Sequence, residues 1–400
     1  MIKTDLGYSF KLHLYFAFAI IATTFTKLRG SEEENLLFIH DSIALGEILF
    51  VLTILGLTTF KLNKNFFLYI FYFLLLTLIT ILLNFFINSY IADHDDVVHD
   101  LMALIVNMIF LSVLINNDKI SISDLLDALY IVTSIYFLLI FISGVILNQG
   151  FFYWHYNIDT ERISGLARNP NQISLLVLML TGLSLHYFDN AKKIIKKIFH
   201  ISIFLLSIII SIYVASDALI LGIIALISFY ILFKLPKYFS LLSILLLLVA
   251  FSIVIMLNID SVENYFSNSF QTQERFARWL SFGGLLPQVF LLGFGPGGHG
   301  PSFDDSFKFI VGLPMQDTEF HNSFLDFFSQ YGILSGGFIL VLYVYYLLKL
   351  NNRQLYLFIA IAIGAFVLSF FHMYTRQPLF WLLALMPFIY KYKEQIKSTE

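Results

Sequence analysis

The run from Phe66 to Ile87, FFLYIFYFLLLTLITILLNFFI, and its counterpart from Leu241 to Leu257, LLSILLLLVAFSIVIML, decide the fold. Neither alternates polar with apolar, as a barrel strand would, and each is long enough to cross a hydrocarbon core as a helix. In lipid every backbone N–H and C=O has to find its partner inside the span, which these runs achieve only as helices. The rest of the chain follows suit. Hydrophobic residues fill 58% of 400 positions and charged ones 13%, against about a quarter charged in a soluble domain. A soluble core cannot hide that much apolar surface.

Working outward, spans are expected near 11–27, 43–60, 66–87, 101–117, 126–147, 170–188, 199–215, 217–233, 238–258, 331–348, 355–371 and 377–390, which makes an all-α polytopic membrane protein of about twelve helices. The whole chain, 1–400, reads as one integral membrane domain. Lys3 and Lys11 precede a modest apolar stretch without a small-residue cleavage site, so the first span is expected to stay uncleaved. Cysteine is absent, which excludes disulfides, thiol nucleophiles and thiolate metal sites.

Placing both termini in the cytoplasm puts most of the 24 Lys and Arg residues inside, as membrane topology favours. The two cations divide differently. Of the arginines only Arg353 falls inside, whereas Arg29, Arg162, Arg168, Arg275, Arg278 and Arg376 fall outside. Lysines thus set topology, while fork-shaped donors suited to phosphate or carboxylate gather on the other face. Two outer segments are long: 149–169, and 258–330 between the ninth and tenth spans, which has room for short amphipathic helices.

Four motifs stand in these segments. In the first, Thr160 to Asn171, Asn169 is a good N-cap and Pro170 suits the first helical turn, leaving backbone N–H groups facing outward beside Arg162 and Arg168. Such an end attracts a phosphate or diphosphate. The plainer reading pairs Arg168 with lipid headgroups and Arg162 with Glu161 or Asp159. In the second, Gln271 to Trp279, Arg275 and Arg278 share a helix face. They suit a diphosphate clamp, or equally an interfacial helix with snorkelling arginines.

The third motif, Gly295 to Gly300, formally matches G-x-G-x-x-G but lacks a strand before and a helix after it, so it reads as a tight turn. The fourth runs from Asp317 to Leu325. There His321, with Asp317, Glu319 and Asp326 near it and Asn322 beside it, is a candidate general base for a hydroxyl. Lone histidines are more often structural, and no H-x-x-x-H pattern points to a metal. At the outer rim Glu47 is a candidate counter-ion for an arginine across the bundle, Asp217 marks a very short turn, and His372 with Arg376 caps the last two spans.

Taken in order, Arg162-x-x-Gly165, Asn169-Pro170-Asn171, Arg275-x-x-x-Trp279, Gly293-Phe294-Gly295-Pro296-Gly297, His321-Asn322-x-x-Leu325 and Gly332 resemble the O-antigen ligase and O-antigen polymerase superfamily. The resemblance is strong over about 160–345 and elsewhere rests on topology. It implies a glycosyltransferase of the bacterial inner membrane, active on the periplasmic face without metal or cofactor. Its donor would be a polysaccharide on undecaprenyl diphosphate. Its acceptor would be a sugar hydroxyl of the lipid A core, or of another lipid-linked repeat in a polymerase.

Carried over by position, Arg162 and Arg275 hold the donor diphosphate and His321 serves the acceptor hydroxyl. Arg376 resembles a further arginine near the end of ligases. Arg168 and Arg278 are diphosphate candidates by charge alone, and Glu47, Asn169, Asn322 and Glu319 are supporting candidates. The chain departs from the family at Ser216-Asp217, where Ser-Arg is frequent. A different class, a polysaccharide transporter or flippase, shares the topology, but transporters carry repeats and mid-bilayer polar sites in broken helices, and here the polar residues collect outside.

Overall fold

A computed structural model describes residues 3–25, 75, 78–83, 86, 94–116, 120–155, 161–167, 169–235, 279, 291, 293–297, 322–333, 355–372, 374 and 376–399. Helices dominate them. In chain order they are α1 (Lys3–Ala22), α2 (His94–Asn116), α3 (Ile122–Ile140, continued by a π turn over Phe141–Ile146), α4 (Pro170–Asn190), α5 (Ile194–Val214), α6 (Asp217–Lys234), α7 (Ser323–Gly332), α8 (Tyr356–Ser369) and α9 (Pro378–Thr399). Between α3 and α4, β1 (Tyr153–His155) and β2 (Glu161–Ile163) form a small antiparallel hairpin.

Among the described residues four helical stretches are long and apolar enough to cross a membrane: Ile122–Ile146, Pro170–Asn190, Ile194–Val214 and Asp217–Lys234. Shorter apolar stretches occupy Lys11–Ala22, Asp100–Leu111, Tyr356–Ser369 and Pro378–Tyr390. These eight stretches overlap eight of the expected spans. The expected spans 43–60 and 238–258 lie outside the described residues, as do most of 66–87 and 331–348.

Helix α4 sits at the centre. From Leu175 to Leu180 every side chain is fully buried, with no face left for lipid. Its neighbours are two-sided. Ile135 and Leu139 on α3, Ile212 on α5 and Ile224 on α6 are more than half exposed and make an apolar outer surface, as expected of helices that meet lipid on one side.

Close packing comes from small residues, because lipid offers no hydrophobic drive for helices to associate. A Cβ on Gly182 of α4 would lie 2.3 Å from Ile361 Cγ1 of α8. One on Gly364 of α8 would lie 2.9 Å from the backbone oxygen of Gly222 on α6. Glycine lets α4, α6 and α8 approach almost backbone to backbone.

Three details extend the expected outline. The first helix begins at Lys3, while its apolar stretch begins at Lys11, the expected start of the first span, because a helix can extend past its apolar part into water. Helix α7, which starts at Ser323 because Asn322 caps it, begins inside the 258–330 segment, where short helices are expected. Within the 149–169 segment the described residues form a 3-10 turn over Gly150–Phe152 and the two three-residue strands, a small β element in an otherwise helical architecture.

Candidate functional site

Three connected pieces meet at the end of the bundle where α3 and α5 finish and α4, α6 and α9 begin. The first is the hairpin, whose register sets Arg162 opposite Trp154. It is fastened from both sides. Tyr153 Oη donates to Gly144 O of the π turn at 3.1 Å, and the Ser164 and Gly165 amides donate to Phe152 O at 3.0 and 3.1 Å. Gly165 has φ +60°, and a Cβ there would fall 2.6 Å from Tyr136 Oη, so the glycine of Arg162-x-x-Gly165 answers to both backbone and space. Tyr136 Oη in turn accepts from Leu166 N at 3.1 Å.

So fastened, the hairpin delivers Arg162 to two helix ends. Its Nε donates to Val214 O, at the end of α5, at 2.9 Å, and its Nη2 donates to Asn171 Oδ1, in the first turn of α4, at 3.4 Å. The last carbonyls of a helix have no partner within it and carry the negative end of the helix dipole, so a guanidinium suits them. Asn169 caps α4 as expected: its Oδ1 accepts from Asn171 N at 2.9 Å, and Pro170 follows.

The second piece is the link between α8 and α9. Tyr374, buried, donates from Oη to Asn171 O at 2.9 Å. Its amide donates to Ser323 Oγ at 2.8 Å, and the Ser323 hydroxyl and amide both donate to His372 O, at 2.6 and 3.2 Å. Ser323 opens α7, and Asn322 before it accepts from Phe324 N and Leu325 N at 3.0 and 3.1 Å while its own amide donates to Asp326 Oδ2 at 3.2 Å. This reciprocal cap fixes where α7 starts. A chain of hydrogen bonds thus runs from Arg162 through Asn171 and Tyr374 to Ser323, two residues after the expected base.

The third piece is Asp100, on α2. Arg376 Nε donates to its Oδ1 in an ion pair, while its Oδ2 accepts from Gly297 N at 3.0 Å and from Gln330 Nε2 at 2.8 Å. The glycine-rich turn is docked on α7. Phe294 N donates to Ser329 O at 2.7 Å and Gly295 N to Gln330 O at 2.9 Å, which satisfies carbonyls at the end of that helix. Gly293, Gly295 and Gly297 all have positive φ, and a Cβ on Gly293 would sit 2.5 Å from the Gln330 backbone. The expected tight turn is therefore a helix clasp.

Of the expected site residues, Arg162, Asn169, Asn322 and Arg376 come together at this end. Arg275, Arg278, Arg168, His321, Glu319 and Glu47 lie outside the described residues. Trp279, which closes the Arg275-x-x-x-Trp279 motif, has its ring 6.1 Å from that of Phe371 beside the α8–α9 link. Sequence reading missed Asp100, Gln330, Ser323 and Tyr374. For Asp100 a signal existed: a carboxylate at the mouth of a span, on a face rich in arginines, needs a cation nearby.

Residues 201–340 match the family model described as O-Antigen ligase. That match supports the O-antigen ligase superfamily. It covers well under half of the chain and includes Arg275, Arg278, Glu319, His321, Asn322 and the clasp. Arg162, Asn169, Asp100 and Arg376 lie beyond it. In general terms the match supports an O-antigen ligase or polymerase type of activity, glycosyltransferase-like, on a membrane protein. No curated protein and no solved structure matches the chain.

Proposed function

We propose that this protein transfers a polysaccharide from undecaprenyl diphosphate to an acceptor sugar hydroxyl at the periplasmic face of the bacterial inner membrane, with ligation to the lipid A core placed ahead of polymerisation. The observation that carries the reading is convergence. Arg162 with the capped start of α4, Asn322 and Arg376 come from three separate stretches and meet at one end, joined by Tyr374 and Ser323. Polar residues reach this end from loops, which favours surface chemistry over the mid-bilayer sites of a transporter.

In this reading Arg162 and Arg275 hold the donor diphosphate, with Arg376 and the start of α4 adding positive potential. The diphosphate is already a good leaving group. The bond between the anomeric carbon and the phosphate oxygen breaks, the acceptor oxygen bonds to that carbon, and undecaprenyl diphosphate departs. The arginines stabilise charge as it grows on the leaving oxygen. His321 takes the proton of the acceptor hydroxyl.

The test is purified protein in liposomes with a lipid-linked glycan donor and, separately, lipid A core or a second lipid-linked glycan as acceptor. A glycan ladder on lipid A core, lost in Arg162→Ala and in His321→Ala, is the expected result. Product confined to lengthened lipid-linked chains reassigns the protein as a polymerase. Glycan translocation without any new glycosidic bond overturns the transferase reading.

A further inference from the structure

We propose that Asp100 is the positioning residue of this site, setting Arg376 and the glycine clasp for the donor diphosphate; the inference rests on the glycan-transfer reading above. Asp100 lies early in α2 and is 4% exposed, so its charge has almost no water around it. Such a carboxylate is retained only where protein groups replace the water. Here they do. Arg376 engages Oδ1, and Gly297 N and Gln330 Nε2 engage Oδ2.

That occupancy separates two roles. A general base has to reach the substrate, whereas the Asp100 side chain is 2% exposed and both its oxygens face protein donors. The carboxylate therefore acts through what it holds. Its partners are 197, 230 and 276 residues away in sequence, so one side chain gathers the clasp, α7 and the α8–α9 link.

The arginine is held in a particular way. The pair is made through Nε, with 24% of the Arg376 side chain at the surface and 2% of Asp100. An arginine fixed from its inner edge has lost most of its rotamer freedom before any anion arrives, which lowers the cost of binding one. The bond to Gly297 acts in the same sense on the clasp, which grips the far end of α7 while Asn322 and Ser323 fix its start. Asp100 thereby steadies the helix that follows His321.

The experiment uses the full-length protein in liposomes with lipid-linked donor and each acceptor varied in turn. Because the chain has no cysteine, Leu291→Cys, exposed beside the clasp, takes a single spin label. Asp100→Asn is expected to raise the donor KM at least about tenfold, with the acceptor KM unchanged. Asp100→Glu, which keeps the charge and shifts the carboxylate, falls between that variant and wild type. The label at position 291 becomes more mobile in Asp100→Asn than in Asp100→Glu.

A merely structural role would lower the active fraction, and hence kcat, leaving both KM values where they were. An unchanged donor KM in Asp100→Asn, or an equal rise for both substrates, overturns the proposal while glycan transfer stands. If Asp100→Asn does not fold, the donor-selective rise in Asp100→Glu decides, and its absence overturns the proposal. If wild-type protein transfers no glycan at all, that reading falls, and the label then decides alone: unchanged mobility in Asp100→Asn rejects the positioning role, and loosening that Glu reverses sustains it.

Discussion

At one end of the bundle Asp189 accepts from Lys234 Nζ at 2.8 Å, Tyr230 Oη at 2.8 Å and Tyr356 Oη at 2.6 Å. At the other, Asp100 accepts from Arg376, Gln330 and a backbone amide of the clasp. Both carboxylates have three donors, yet they hold different things. The donors to Asp189 are side chains of α6 and α8, which glycine contacts already lock to α4. Two of the donors to Asp100 belong to the clasp and the α8–α9 link, segments outside the helices that are anchored by the buried Phe294 and Tyr374. Exposure follows the same division, since the side chains of Asp189 and Lys234 are 21% and 42% exposed and that of Asp100 is 2%. One end reinforces helices; the other organises loops, and that second task is the one a reaction site requires.

Substitutions can break this contrast. The largest effect is expected at the buried pair. Arg376→Met leaves Asp100 charged and without its ion-pair partner, which should cost about 3–5 kcal/mol, read as a fall in the unfolding midpoint in detergent. Gly293→Ala comes next. Its Cβ would meet the Gln330 backbone at 2.5 Å and its φ of +72° disfavours any side chain, so a loss of about 1–3 kcal/mol is expected together with glycan transfer.

Asp189→Asn should cost about 1 kcal/mol, because a partly solvated pair is weak. Transfer per folded molecule should stay within about twofold of wild type if that end only reinforces helices; a tenfold loss would erase the contrast. The smallest effect is at a cap. Asn322→Ala should cost about 1 kcal/mol, with Asn322→Asp close to neutral in the same unfolding measurement.

The helices were legible where the chain speaks locally. Asn169-Pro170 announced the start of α4, and the apolar runs of α4, α5 and α6 announced the spans. Of the arginines assigned to the outer face, Arg162 and Arg376 are among the described residues, and both lie at the Asp100 end of the bundle. Sequence reading looked for the counter-ion of an arginine and named Glu47; among the described residues the carboxylate that pairs with one is Asp100. Glu47 lies outside the described residues; for Asp100 the position hinted at a cation nearby, but a contact across 276 residues leaves no mark of which one.

The hairpin was hidden for another reason. Tyr153–His155 and Glu161–Ile163 are three residues each, too short for a period to show, and their pairing depends on a π turn and on Tyr136 far upstream. The clasp was visible as glycines but not as a grip on α7, because positive φ can be inferred from glycine while its docking partner cannot.

The π turn at Phe141–Ile146 carries one further consequence. Leu147 N reaches back to Ile142 O, five residues rather than four, so the turn accommodates one residue more than an α-helix would in the same place. Each helical residue advances the chain by about 100° around the axis. Deleting a single position there would return the helix to ordinary winding with the hairpin at nearly the same phase, because the wider turn absorbs a residue that an unbroken α-helix would express as a rotation. The aim of Arg162 therefore depends on how this turn is wound, which reaches the hairpin through Tyr153 and its bond to Gly144 O.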